Sequence, residues 1–345
     1  MKTLNLIVLA LLFITLLMSC ENPIRLETIV HEDGSLEKTI VLEKADSLAI
    51  ATNYFGVNEA KGWALKREEL KKDGEKSEFK IEFKKSFPST EAVNKELDME
   101  SDTLFRIHSE FKKSFRWFYT YLRYSETFRP MDKLKLIKAE DYFTQEDKAF
   151  IDRLPGEGTA VSNADSIYLQ FLNEKIYDHY ATRGLFNEQF SILAQVVEQN
   201  STDKKWLDTL KRNKEFLYRK MESMDEEPSE LIKIIDSLGI RLPQEKATRD
   251  FIALSKPLNS RISFMAFAHD GQYTNIITMP WEVYDSNADS VAANTLYWKP
   301  LATKFAIQEY TMFAEARRLN GWAVALSLAI VALTLFLYAR KNRPL

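Results

Sequence analysis

Apolar and polar residues alternate with period two through the first part of the chain, shift to a helical period near residue 134, and alternate again toward the end. From Ile24 to Leu42 the alternation runs on both sides of Asp33-Gly34, a tight-turn pair, and predicts a β-hairpin. Asp46 to Tyr54 reads as a short helix, and Trp63 to Leu70 fits a strand or a helix equally. After a second turn at Asp73-Gly74, Phe79, Ile81 and Phe83 face one way and Lys80, Glu82 and Lys84 the other, a strand within 77–87. Ser89 opens a helix reaching Leu97, and Leu104 to Phe111 is a strand. The aromatic run Phe115 to Phe128, interrupted by Arg116, Arg123 and Glu126, is expected as one long strand.

Beyond Pro130 the segments lengthen. Thr144 and Asp147 form a capping pair for a helix ending at Arg153, and Pro155 to Thr159 breaks the chain. Asn163 to Arg183 is the next helix, with Ile167, Phe171, Leu172 and Ile176 expected inward and Gly184 as a C-cap or kink. Helices follow over Asn187–Gln199, Asp203–Met224, Ser229–Leu238 and Pro243–Leu254. After Pro257, strands are predicted at Arg261–His269 and Tyr273–Met279 around Asp270-Gly271. Lys304 to Arg318 fits both periods, and the order of the preceding hairpins favours a strand.

The order of strands, helices and strands predicts an α+β fold. Its sheet domain is mostly antiparallel and built from residues 20–130 and 257–318, with a helical subdomain at 134–254 inserted between them. Three successive pieces are the alternative, but a late sheet of two or three strands would struggle to bury both faces.

The two ends suggest membrane attachment. Residues 321–339 are uncharged and lack proline, about 28 Å as a helix at ~1.5 Å per residue, enough to span a bilayer. Arg340, Lys341 and Arg343 make the tail, 340–345, cytoplasmic by the positive-inside rule, although Arg317 and Arg318 flank the other side. Residues 1–19, one lysine followed by an apolar run, have the make-up of a signal peptide. Leu17-Met18-Ser19-Cys20 resembles a bacterial lipobox, in which the cysteine would carry the lipid. The expected localisation is therefore a bacterial, most simply cytoplasmic, membrane. The chain would be single-pass, with its main domain extracytoplasmic and an N-terminal lipid at Cys20.

Composition narrows the function classes. There are 47 basic and 50 acidic residues and no basic block of the kind nucleic acid demands. The single cysteine leaves no disulfide or cysteine metal site, and the four histidines are widely spaced. Asp285, Asn287 and Asp289 lack the glycine and the closing glutamate of a calcium loop. No HExxH or GxSxG occurs, so no metal or cofactor is expected, and a noncatalytic protein fits better than an enzyme; a hydrolase ranks third.

Further residues carry a family likeness. The late segment Met279-Pro280-Trp281-Glu282-Val283, then Asn287-Ala288-Asp289, then Asn294 to Trp298, precedes a strand and the apolar helix. With the lipobox-like start, Pro280, Asn287 and Trp298 resemble the pattern of LppM-type bacterial lipoproteins. That resemblance covers only the strand-rich parts, and the helical insert departs from it. It implies a curved sheet around a cavity, similar to lipid-binding helix-grip domains, and a link to envelope lipid.

The corresponding candidate groove residues are Trp117, Tyr119, Tyr121, Phe264, Phe267 and Trp298, with Arg116 and Arg123 as polar anchors for a lipid phosphate. The same aromatics would serve equally well as core filling, and the arginines as solvated edge charges. The expected partner is membrane lipid. The alternative function is an envelope scaffold that offers the helical insert to another envelope protein.

Overall fold

The computed structural model describes residues 22–45, 53–70, 78–100, 103–200, 203, 205–222 and 231–341. The signal-like segment, Cys20, most of the 46–54 helix and the Asp73-Gly74 turn lie outside them. Two compact units emerge. Of the described residues, the first comprises those up to Arg129, Asp270–Ala302 and those from Glu309 to Lys341; the second comprises those within Pro130–His269 and Thr303–Gln308.

Among the described residues, the first unit contains eleven strands in two sheets. The strands are β1 (Asn22–Val30), β2 (Leu36–Ala45), β3 (Ala64–Leu70), β4 (Glu78–Phe87), β5 (Ile107–Phe115) and β6 (Tyr119–Phe128). They continue with β7 (Gly271–Thr278), β8 (Glu282–Ser286), β9 (Ser290–Ala292), β10 (Thr295–Trp298) and β11 (Tyr310–Leu319). One sheet has the order β3-β4-β2-β1-β7-β10-β9, the other β5-β6-β11-β8. Every pair is antiparallel except β1 with β7.

The β1–β7 and β6–β11 ladders join strands from both sides of the insert, so the early and late segments share their sheets. The hairpin around Asp33-Gly34 forms as the turn pair predicts. Gly34 has φ +90°, and a Cβ there would lie 2.9 Å from the Phe111 ring, so a side chain is excluded twice over. Trp63–Leu70, ambiguous by pattern, supplies β3 and therefore sits on a sheet edge.

The expectation of a curved sheet around a cavity is corrected. Both sheets are open, ending in β3 and β9 and in β5 and β8, and neither curls on itself. Large side chains occupy the interior instead. Phe105 lies against Phe55, Phe128 and Tyr273, with ring centroids 4.8, 5.4 and 5.6 Å apart.

A short helix, α1 (Thr90–Asn94), is capped by the Ser89 side chain and continues as a wider turn over Lys95–Met99. After β11, only Asn320 precedes α9 (Gly321–Lys341), the one helix among the described residues long and apolar enough to cross a membrane. Of its residues only Ala323 is buried.

The second unit is the inserted helical subdomain. Its helices are α2 (Gln145–Arg153), α3 (Asn163–Glu174), α4 (Thr182–Asn200), α5 (Lys205–Arg212), α6 (Lys214–Glu222), α7 (Leu231–Ile234) and α8 (Gln244–His269). Phe186, Leu193, Val196 and Val197 of α4 pack with Leu210, Leu217, Ile232, Ile235, Phe251 and Leu258. Residues 261–269, expected as a strand, are the last turns of α8, which runs through Pro257. Proline deletes one helical hydrogen bond, but Leu258, Phe264 and Ala268 are buried beyond it, and that packing keeps the helix going.

Gly184 neither caps nor ends a helix. It lies inside α4, where a Cβ would come within 2.5 Å of Leu134 and 2.9 Å of Ile137. It is there for close approach.

Candidate functional site

The outward face of the four-stranded sheet carries the most distinctive polar constellation. Register explains how. Lys112 of β5 pairs with Arg123 of β6, and Ser114 with Tyr121. Arg123 in turn pairs with Glu315 of β11, and Tyr121 with Arg317. Because side chains alternate across a strand, Leu122, Tyr124 and Phe128 go inward while Tyr121 and Arg123 stay outside.

These residues line a cleft of about 400 Å³, together with Arg116 from the β5–β6 turn and Tyr284 from β8. Lys112, Arg116 and Arg123 bring three positive charges to it, against one carboxylate, Glu315. Arg123 Nη1 donates to Glu315 Oε1 at 2.6 Å, and the Tyr284 hydroxyl donates to Oε2. The Tyr284 hydrogen bond and Arg123 hold the Glu315 carboxyl below its usual range. Burial and that same bond push the Tyr284 hydroxyl up to about 12.

The arginines also face rings. Arg116 lies 5.7 Å from the Tyr121 centroid, and Arg317 lies 5.1 Å from that of Tyr119 and 5.3 Å from that of Tyr284. Guanidinium groups held over rings present an N–H fork that can donate bidentately to the oxygens of a phosphate.

Of the residues picked from sequence, Arg116, Arg123, Tyr119 and Tyr121 meet on this face. The rest do not join them. Phe264 and Phe267 belong to α8, in the other unit. Trp298 is fully buried on β10, and its Nε1 donates to Asn287 O at 3.0 Å and Oδ1 at 3.1 Å. Asn287 also donates to Thr311 O and accepts from Phe313 N, so the Asn287–Trp298 pair fastens β10 to β11. Pro280 precedes Trp281, whose Nε1 donates to Glu32 at 2.6 Å. Trp117 stands half-exposed at the β5–β6 turn, because 115–128 is not one strand but the end of β5, a turn and β6.

Two other clusters are not among the residues expected from the sequence. Between the sheets, Lys38 of β2 donates to Glu126 of β6 at 2.6 Å, with both side chains buried. Thr28 Oγ1 donates to the same carboxylate at 2.5 Å, and the Tyr124 hydroxyl lies 2.8 Å away. Burial lowers the Lys38 pKa and raises that of Tyr124 well above normal. The signal was present: Lys38 falls in phase with Leu36 and Ile40, and Glu126 in phase with Tyr124 and Phe128.

In the helical unit, an apolar cavity of about 280 Å³ is lined by Met131, Ile176, Leu185, Ile262 and Met265, with Asp132 its one carboxylate. Burial raises the Asp132 pKa, and the carboxylate accepts from Tyr180 at 2.5 Å and Leu134 N at 2.9 Å. Among the described residues, no group of three or more His, Cys, Asp or Glu is placed to hold a metal.

The membrane placement needs one correction. The expected localisation included an N-terminal lipid anchor, whereas the spanning-type helix found is the C-terminal one, Gly321–Lys341.

No protein-family model matches the chain, and no curated protein matches it. Among solved structures, the chain is similar to the folded domain of the Mycobacterium tuberculosis LppM protein, determined by NMR. That match has 9% identity over 87% of this chain and 91% of that one, with a TM-score of 0.26. A likeness at that level is a distant one and establishes neither membership of that family nor a shared fold.

Proposed function

We propose that this is a noncatalytic, membrane-bound protein whose cleft on the four-stranded sheet takes the anionic, phosphate-bearing headgroup of a membrane lipid. One observation carries the reading. Lys112, Arg116 and Arg123 converge with Tyr121 and Tyr284 on the sheet whose strand β11 leads, after Asn320 alone, into the apolar helix. The cleft is lined mostly by charged and hydroxyl-bearing side chains rather than apolar ones, so it suits a headgroup and leaves the acyl chains in the bilayer.

The test is native mass spectrometry of the full chain released from mixed phosphatidylcholine–phosphatidylglycerol nanodiscs. The wild type should retain phosphatidylglycerol preferentially. Arg116→Ala with Arg123→Ala should lower that preference by roughly tenfold or more, given ~1 kcal/mol per basic residue at an anionic surface. Equal retention of both lipids by the wild type would end the proposal.

A scaffold role is the second reading. It is supported by Ile167 and Phe171, one helical turn apart on α3 and exposed at 69% and 49%, where an inward face was expected. Loss of a membrane-protein partner on Ile167→Asp, with lipid retention unchanged, would favour it.

A further inference from the structure

The β5–β6 turn presents three large apolar side chains to solvent: Phe115, Trp117 and Phe118 are 59%, 46% and 47% exposed. Phe115 and Trp117 stand against the first turns of α9, and the Phe118 backbone is tied to Asn320 just before it. Phe115 stacks on Trp322 with ring centroids 6.0 Å apart and planes 7° from parallel. Trp117 meets the Trp322 ring edge-on at 5.6 Å, and its Nε1 donates to Ser327 Oγ at 2.9 Å.

Depth follows from the helix itself. Ser327 lies six residues past Gly321, about 9 Å along the axis. The 21 residues of α9 measure about 31 Å, little more than the ~30 Å hydrocarbon they would cross. No turn of helix is spare, so a group bonded to Ser327 lies at leaflet depth.

A turn can leave water only if its backbone groups find partners. Here one asparagine supplies the partners of all three turn carbonyls. Asn320 Nδ2 donates to Arg116 O at 2.9 Å and to Trp117 O at 3.2 Å, and its backbone N–H donates to Phe118 O at 2.8 Å. Arg116 N donates to Tyr119 O at 2.8 Å and closes the turn. Asn320 Oδ1 accepts from Thr120 Oγ1 at 2.8 Å. An asparagine before a helix ordinarily turns its side chain onto its own first N–H groups. This one is spent on the hairpin, while its carbonyl accepts from Ala323 and Val324.

We infer that the β5–β6 turn is a second membrane contact. Phe115, Trp117 and Phe118 enter the leaflet that α9 enters first, and Arg116, Arg317 and Arg318 sit at headgroup level. Indole at the interface and arginine reaching back to phosphate are the arrangements a bilayer boundary favours. A helix alone would leave the sheet free to swing about Asn320; helix and turn together hold it at one tilt. The inference rests on α9 spanning a bilayer and is independent of what the cleft binds.

Spin labels on the full chain, with Cys20→Ser to remove the native thiol, test it in phosphatidylcholine–phosphatidylglycerol nanodiscs. Labels go at Phe118→Cys, at Leu326→Cys as the helix reference and at Glu68→Cys, exposed on β3, as the aqueous reference. The oxygen-to-nickel-chelate accessibility ratio at position 118 should match that at 326 and exceed that at 68 by roughly tenfold, as expected 5–10 Å into the boundary. A ratio at 118 equal to that at 68 overturns the inference. So does shielding of 118 from both relaxants, which would mean contact with another protein copy.

Brominated-lipid quenching gives a second measurement without a new cysteine. The quenched fraction of tryptophan emission should fall when Trp117→Phe is introduced; an unchanged fraction counts against insertion. A failed lipid-preference experiment would leave both readouts untouched, so the two proposals fail separately.

Discussion

At the scale of single residues, the buried Lys38–Glu126 pair shows how a charge in an apolar phase should be weighed. Each strand spends one inward position on it, between Leu36 and Ile40 on β2 and between Tyr124 and Phe128 on β6. Desolvating both charges consumes most of what their attraction returns, so the pair contributes little net stability but is costly to break. Lys38→Met alone strands a carboxylate with only Thr28 and Tyr124 to satisfy it, and should destabilise by about 3–5 kcal/mol. Glu126→Leu alone strands the ammonium and should cost as much. The double variant should recover most of the loss, leaving an apolar contact between the sheets. Urea melts of the four proteins form the cycle; singles that cost nothing would show that the pair is hydrated rather than buried.

At the scale of elements, the sequence was most legible where a local rule met no competitor. The Asp33-Gly34 hairpin, the 78–87 strand and the Thr144–Asp147 capping box all form. It was least legible where distant packing decides. Pro257 reads as a stop, yet the buried Leu258 and Phe264 carry α8 through it. The aromatic run at 115–128 reads as one strand because nothing local marks a turn at Arg116-Trp117-Phe118. Its partner there, Asn320, is some 200 residues away, and no periodicity reveals it.

The α2 cap supports a prediction of its own. Asp147 is buried, which by itself would raise its pKa, but it accepts from Lys175 at 2.7 Å, Tyr168 at 2.6 Å and Thr144 N at 2.8 Å. The balance lowers its pKa from 3.8 to about 2. The folded form thus holds this proton less tightly than the unfolded form. The stabilisation is present in full above the unfolded pKa and disappears as pH falls through the folded one. Its size is about 2 kcal/mol, since each tenfold drop in proton affinity on folding is worth ~1.4 kcal/mol. Asp147→Asn should therefore destabilise the protein near neutral pH, and the difference from wild type in circular-dichroism urea melts should shrink steadily between about pH 4 and pH 2.

At the scale of the whole molecule, the parts proposed to meet a membrane lie on one sheet. The cleft is on its outer face, the aromatic turn closes its β5–β6 hairpin, and β11 leads into α9. Half of the proposed site is visible in the sequence: Arg116, Tyr121 and Arg123 sit in one alternating run. Lys112, Tyr284 and Glu315 arrive from three other strands, and only register brings them there.

The two proposed contacts also differ in physics, and that difference can be measured. Headgroup capture by arginine and lysine is electrostatic and partly exposed, so it weakens as the Debye length falls to ~3 Å near 1 M salt. Insertion of Phe115, Trp117 and Phe118 is apolar, and salt does not weaken it. Raising the salt in the nanodisc experiments should therefore erase the phosphatidylglycerol preference while leaving the accessibility ratio at position 118 unchanged. If both fell together, the turn would be held at the surface by charge and not by its aromatic side chains. If neither fell, the lipid preference would not come from the cationic cleft.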